Sequence, residues 1–201
     1  MFRYKIIFLI FLFILISSII LSGCNNIENN NGIGNYKSGS EQNGFNVADE
    51  EIYSSIPNLK YFINFLNMVD YIDNKYNKNI EGLINKFNNE ENLEVKTEYA
   101  QKLIDEYNKY IADFVYFVNR EIKINEINFL DDVCYYKTKA LMEITSYFIY
   151  FTNFEEKERL REANDNAIFA YTDYKEKIRK LKELFNNKAA ELGFQQPFGE
   201  N

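Results

Sequence analysis

Three polar side chains occupy positions where the spacing of the sequence otherwise selects apolar residues. Asp73, Lys137 and Asn164 each lie in a run of aliphatic and aromatic residues that recur every three or four positions. A carboxylate and an ammonium group on the inner faces of two helices can pair across a core, or can line a polar pocket for a small ligand. Long helices commonly carry one or two polar residues on their contact faces. We therefore expect Asp73 and Lys137 to form a structural ion pair.

The composition removes several kinds of catalytic and metal site. The chain of 201 residues has no His and two Cys. It therefore cannot build a Ser-His-Asp triad, an imidazole-bound haem or the Glu-x-x-His motif of di-metal bundles. Cys-x-x-Cys pairs, Cys/His zinc sets and Gly-rich phosphate loops are also missing from the sequence. We expect no cofactor, no metal and no catalytic residue, and an enzyme that uses carboxylates is the least favoured alternative.

The first 24 residues follow the order of a secretion signal that ends in a cysteine. Arg3 and Lys5 precede an apolar run of signal-peptide length, and the sequence Leu21-Ser22-Gly23-Cys24 closes that run. This arrangement resembles the lipobox of prokaryotic lipoprotein precursors, and the resemblance covers residues 1–24. It implies cleavage between Gly23 and Cys24 and attachment of a diacylglyceryl group to the Cys24 thiol.

A diacyl anchor on Cys24 is sufficient for stable attachment to membrane lipid. The expected location is the extracytoplasmic face of the cell membrane, with an unidentified envelope protein as partner. The alternative is an uncleaved single-pass anchor with an incidental cysteine, which places the remaining chain on the same side. Cys134 lies in an apolar helical pattern and is predicted to be a small buried hydrophobe.

The sequence divides into four parts: residues 1–23 as signal peptide, 24–50 as tether, 51–193 as a helical domain and 194–201 as a loose tail. Asn, Gly and Ser dominate the tether, which has too little apolar surface to form a core. Loss of Arg3 and Lys5 leaves 21 basic against 30 acidic residues, a formal charge of −9. An acidic chain of this kind gives no reason to expect nucleic-acid binding.

Apolar residues recur at three- and four-residue steps in four long stretches of the domain, and no stretch alternates as a strand does. The first predicted stripe is Leu59, Phe62, Leu66, Val69, Asp73, Tyr76, Ile80, Leu83 and Phe87. The predicted fold class is all-α, with four long helices in an up-down-up-down bundle and coiled-coil-like packing. An extended helical hairpin that dimerises is the main architectural alternative. Parallel first and third helices bring Asp73 and Lys137 within about one turn of the same height.

Local signals predict where these helices begin and end, and which residues reach the surface. Ser55 and Pro57 suit the start of the first helix, residues 152–155 resemble a capping box before the fourth, and Gly193 suits its end. Three tyrosines lie off the apolar stripes and would form a partner-binding patch if exposed together: Tyr116, Tyr136 and Tyr150. The expected function is a non-catalytic binding or structural module of the cell envelope. A helical bundle with a small-ligand site near Asp73 and Lys137 is the alternative.

Overall fold

The computed structural model describes residues 47–123, 125, 127–155 and 157–199. The signal peptide, the Gly23–Cys24 bond and residues 24–46 of the predicted tether lie outside the described residues. The first described helix begins at Val47, so it includes the last four positions assigned to the tether.

The described chain is all-α and contains no strand. Five α-helices follow one another: α1 (Val47–Ser55), α2 (Leu59–Asn89), α3 (Leu93–Phe117), α4 (Asp131–Thr152) and α5 (Lys157–Glu191). A π-helix, Val118–Lys123, continues α3, and a short 3₁₀ turn, Asn128–Leu130, leads into α4. The four long helices correspond to the four predicted apolar stretches, and α1 precedes them.

Neighbouring long helices run in opposite directions. In α2 and α3, Phe65 packs against Phe117 and Tyr76 against Tyr110, so residue numbers rise in one helix as they fall in the other. Salt bridges and ring contacts define the same antiparallel relation between α4 and α5, and between α2 and α5. Between α4 and α5 the contacts are Lys177–Asp132, Arg159–Tyr150 and Lys137–Tyr174. Between α2 and α5, Phe62 packs against Phe185, and Asp73 lies at the height of Tyr174 because both contact Lys137.

The diagonal helices α2 and α4 are parallel. Asp73 pairs with Lys137 and Phe87 packs against Phe148, so residue numbers rise together in the two helices. The four long helices of one chain therefore close into an up-down-up-down bundle. The alternative of a hairpin that needs a second copy to cover its core does not apply.

The buried stripe of α2 differs from the predicted one at three positions. Packing selects Phe65, Ile72 and Ile84 for the core, whereas the three- and four-residue steps had selected the adjacent Leu66, Asp73 and Leu83. Neighbouring helix positions are about 100° apart, so adjacent apolar residues compete for the inward direction and the facing helices decide. The consequence is that Asp73 lies at the border of the core and keeps 21% of its side chain exposed.

Two predicted helix starts are corrected by the structure. Ser55 is the last residue of α1 and does not cap α2. The residue that precedes α2 is Asn58, whose backbone has a left-handed conformation. Thr152 is the last residue of α4, and its hydroxyl donates to the carbonyl of Ile149 at 2.8 Å. The predicted capping box is therefore wrong, because the hydroxyl satisfies a carbonyl of its own helix.

The C-terminal end of α5 confirms the role predicted for Gly193. Gly193 has φ of 79°, its amide donates to Ala190, and the next amide, of Phe194, donates to Ala189 at 2.8 Å. This pair of bonds is the Schellman motif, which favours glycine at the left-handed position.

The tail after Gly193 folds back onto the bundle, whereas the sequence predicted a loose segment. The ring of Phe198 packs edge-on against Phe62, with 5.4 Å between ring centroids. The Asn186 side-chain amide donates to the Phe198 carbonyl, and its oxygen accepts from the Phe198 amide. Apolar burial and two hydrogen bonds together outweigh the entropy of a free end. Among the described helices, none combines the length and apolar character that a bilayer crossing requires.

Candidate functional site

The four long helices each contribute one residue to a polar layer in the bundle interior. The layer consists of Asp73 from α2, Tyr110 from α3, Lys137 from α4 and Tyr174 from α5. Asn164, the third polar residue singled out by the sequence, lies ten positions before Tyr174, almost three helical turns away. It is half-buried and does not belong to the layer.

Asp73 and Lys137 are paired, as the sequence predicted. The Lys137 ammonium lies 3.0 Å from each oxygen of the Asp73 carboxylate, and the Tyr110 hydroxyl donates to one of those oxygens. Lys137 is only 4% exposed, so its charge depends on this carboxylate for compensation. A buried pair of this kind fixes the relative height of α2 and α4, because any other register would separate the charges.

Aromatic rings enclose the ammonium of Lys137. Its Nζ lies 4.9 Å from the ring centroid of Tyr174, 5.6 Å from that of Tyr110 and 5.7 Å from that of Phe114. The negative faces of these rings partly replace the water that the ammonium has lost. Burial raises the pKa of Tyr110 and of Tyr174 well above the ordinary tyrosine value, and the charge of Asp73 raises both further. Both hydroxyls therefore stay neutral around the ion pair at physiological pH.

A stacked pair of tyrosines connects the polar layer to the surface. Tyr76 stacks on Tyr110 with 5.2 Å between centroids and 7° between ring planes, and its hydroxyl donates to Asp113 at 2.6 Å. Lys75 donates to the same carboxylate oxygen at 2.6 Å. Burial alone would raise the pKa of Asp113. The hydrogen bonds from Lys75 and Tyr76 outweigh burial, so that pKa is lowered.

Asp113 and Lys75 form part of an open groove between α2 and α3. Its cavity volume is about 190 Å³. Tyr71 and Tyr116 line it with 52% and 64% of their surfaces exposed, while Ile72 and Phe117 are buried. The full lining is Met68, Tyr71, Ile72, Lys75, Asp113, Tyr116, Phe117, Arg120 and Glu121. We call this set the α2–α3 groove.

The π-helix after α3 supplies the charged edge of the α2–α3 groove. Arg120 and Glu121 lie in it, with 3.2 Å between the guanidinium and the carboxylate, and Arg120 also donates to the Tyr116 hydroxyl at 3.4 Å. The Ile127 amide also donates to the carbonyl of Ile122, five residues earlier, at 3.0 Å. Such turns are rare and occur frequently at functional sites.

The three surface tyrosines predicted from the sequence do not form one patch. Tyr116 is exposed in the α2–α3 groove, but Tyr136 and Tyr150 are half-buried on α4. Lys177 lies 5.9 Å from the ring centroid of Tyr136, and Arg159 lies 5.9 Å from that of Tyr150. The exposed aromatic residue that lines the groove with Tyr116 is instead Tyr71 on α2. The sequence did not predict a site at Tyr71, Lys75, Asp113 and Arg120, because nothing in their spacing shows that α2, α3 and the π-helix bring them together.

The described residues contain no group of three or more His, Cys, Asp or Glu that could hold a metal ion. Cys134 is a buried free thiol, and burial raises its pKa to about 12. Comparison of the chain with protein-family models, curated proteins and solved structures gave no match.

Proposed function

We propose that this chain is a lipid-anchored protein of the cell envelope whose bundle serves as a non-catalytic binding module. Support for the anchor comes from the ordered charge, apolar run and Leu21-Ser22-Gly23-Cys24 motif at the N-terminus. In this proposal a diacylglyceryl group on Cys24 holds the protein to membrane lipid, and the bundle faces the extracytoplasmic space.

The α2–α3 groove is the proposed binding surface, and its two exposed tyrosines are the observation that carries the proposal. Tyr71 and Tyr116 stand beside Arg120 and Met68, and tyrosine, arginine and methionine are enriched at the centres of protein–protein interfaces. Tyrosine and arginine also provide a large share of interface hot spots. The groove therefore has the composition of a surface that another protein covers.

The size and charge of the groove indicate what kind of partner it suits. Its cavity volume of about 190 Å³ is smaller than the ~300–1,000 Å³ typical of small-molecule sites. Lys75 pairs with Asp113 and Arg120 with Glu121, so the four charged groups sum to zero. We propose that it receives one or two side chains of an envelope protein.

Affinity capture from detergent-solubilised membranes tests this proposal. Full-length tagged wild type, Tyr116→Ala and Tyr61→Ala are compared, because Tyr61 is also an exposed tyrosine, on α2 but outside the groove. We expect one co-purifying protein that Tyr116→Ala loses and Tyr61→Ala retains. Equal recovery of every co-purifying protein with all three chains would contradict the assignment of the groove.

A small-ligand site at Asp73 and Lys137 is the second candidate, because charges buried in a bundle can orient a polar molecule. Access requires the rings of Tyr110, Phe114 and Tyr174 to move, since they enclose the ammonium. Native mass spectrometry of wild type and Lys137→Met distinguishes the two candidates. An added mass that only wild type carries would favour a ligand, and identical masses apart from the substitution would favour the structural ion pair.

A further inference from the structure

The outer face of α4 carries apolar residues that the monomer leaves uncovered. Tyr135, Met142 and Ile149 are spaced by seven residues and are 58%, 55% and 38% exposed. A seven-residue repeat places them in one straight row on the helix, on the side opposite the buried stripe. Phe169 of α5 is 70% exposed and lies at the height of Met142.

The height of Phe169 follows from the contacts between α4 and α5. Lys137 faces Tyr174, and Asp132 pairs with Lys177. Because the two helices are antiparallel, each step towards lower residue numbers in α5 corresponds to one step towards higher numbers in α4. That relation sets Phe169 at the height of Met142. The four residues Tyr135, Met142, Ile149 and Phe169 are called the α4 outer face below.

The spacing on α4 is symmetric about Met142. Tyr135 lies seven residues before it and Ile149 seven residues after it. If a second α4 packs antiparallel with Met142 on a two-fold axis, Tyr135 of each copy meets Ile149 of the other. A two-fold interface requires this reciprocal matching of one patch with itself.

Charge also favours a second copy at this face. The full chain carries a formal charge of −7, so two copies repel each other overall and approach most easily through faces that are poor in charge. From Ile144 to Phe154 no residue is charged, and Glu143 and Lys139 are the nearest charged groups on α4. In the antiparallel arrangement Asp131 and Asp132 of one copy lie opposite this uncharged stretch of the other, so the two α4 helices approach with little electrostatic repulsion.

The exposed area is consistent with the centre of a homodimer contact. Tyr135 and Phe169 together expose roughly 250 Å², given ~150–250 Å² for a whole aromatic side chain. Met142 and Ile149 extend this apolar centre along α4. Neighbouring polar residues of α4 and α5 would provide the rest of the ~800 Å² per copy that a stable interface buries. We propose that this protein forms a homodimer in which the α4 outer faces pack antiparallel about Met142.

Cysteine cross-linking of the full chain in detergent tests both the face and its direction. Cys134 is buried, and the thiol of Cys24 carries the lipid in the proposed function. The unsubstituted chain is oxidised in parallel to measure any dimer that these two cysteines form. Under mild oxidation, Met142→Cys should give a disulfide-linked band at twice the monomer mass. Tyr116→Cys, on α3 and equally accessible, is the matched control and should give little of it.

The direction is tested by mixing two variants. Tyr135 and Ile149 are 14 residues apart, about 21 Å along the helix, whereas a disulfide needs Cα atoms within ~7 Å. Tyr135→Cys alone should therefore not cross-link, and a mixture of Tyr135→Cys with differently tagged Ile149→Cys should give the mixed dimer. The proposal fails if Met142→Cys forms no more dimer than Tyr116→Cys, or if Tyr135→Cys alone cross-links as well as the mixture.

Discussion

Lys137 of α4 and Asp73 of α2 are 64 residues apart in the chain and 3.0 Å apart in the bundle interior. Their pairing links two diagonal helices that have apolar contacts elsewhere along their length. It also explains why a nearly buried lysine is tolerated, because the carboxylate and three aromatic rings replace its water.

Removal of one partner of this pair should be costly. In Asp73→Ala the Lys137 ammonium stays 4% exposed without its counter-charge, and we expect a loss of about 3 kcal/mol in the free energy of unfolding. The double variant Asp73→Leu/Lys137→Met should recover most of that loss, since neither charge remains. Urea denaturation of the three chains measures both effects. An Asp73→Ala chain that unfolds at the same urea concentration as wild type would show that the pair contributes nothing.

High pH should destabilise the bundle through its buried tyrosines. Burial raises the pKa of five of them above the ordinary value of 10.0: Tyr76, Tyr107, Tyr110, Tyr147 and Tyr174. A raised pKa in the folded state gives stability that is complete below the unfolded value and is lost as the pH rises above about 10. Tyrosinate absorbance for these five residues should therefore appear together with the loss of helical circular dichroism. Ionisation of all 16 tyrosines before any loss of helix would contradict this expectation.

The turn after α4 contains an unfavourable backbone conformation. Phe154 has φ of 54° and is 69% exposed. Its side chain therefore makes few packing contacts that could offset the strain of the left-handed backbone conformation. Phe154→Gly should stabilise the protein by about 1 kcal/mol, because glycine adopts this conformation without strain. Gly193→Ala, at φ of 79°, should destabilise it by a similar amount. Thermal unfolding of the two variants should give melting temperatures that shift in opposite directions, and shifts in the same direction would refute the argument.

The C-terminal tail should contribute to stability. Phe198→Ala removes the edge-on ring contact with Phe62. It also removes the contact with Lys182, whose Nζ lies 5.9 Å from the Phe198 ring centroid. We expect a loss of about 1 kcal/mol and faster removal of residues after Gly193 by carboxypeptidase. Unchanged digestion kinetics would indicate that the tail is free in solution, as the sequence alone suggested.

The apolar spacing was sufficient to predict the helices and the pairing of Asp73 with Lys137. The height of two residues on parallel helices depends mainly on where each helix starts and on the constant rise per residue. The same spacing could not decide between adjacent apolar residues such as Phe65 and Leu66, because packing against neighbouring helices settles the rotation of α2.

The α2–α3 groove and the turn after α4 could not be predicted from the apolar spacing. The α2–α3 groove depends on the π-helix, whose extra residue per turn has no simple sequence signal. The capping-box pattern at Thr152 was present, but the hydroxyl bonded backward within α4 and the turn closed through Phe154. Local hydrogen-bonding side chains have several partners within reach, and the surrounding chain selects one of them.

The intact mass of the protein from detergent-solubilised membranes tests the proposed anchor most directly. If the N-terminal motif acts as we propose, the chain begins at Cys24, carries the mass of a diacylglyceryl group on its thiol and incorporates labelled palmitate. Cys24→Ser should abolish both the added mass and the label. Recovery of a chain that retains residues 1–23 with an unmodified Cys24 thiol would contradict the proposal.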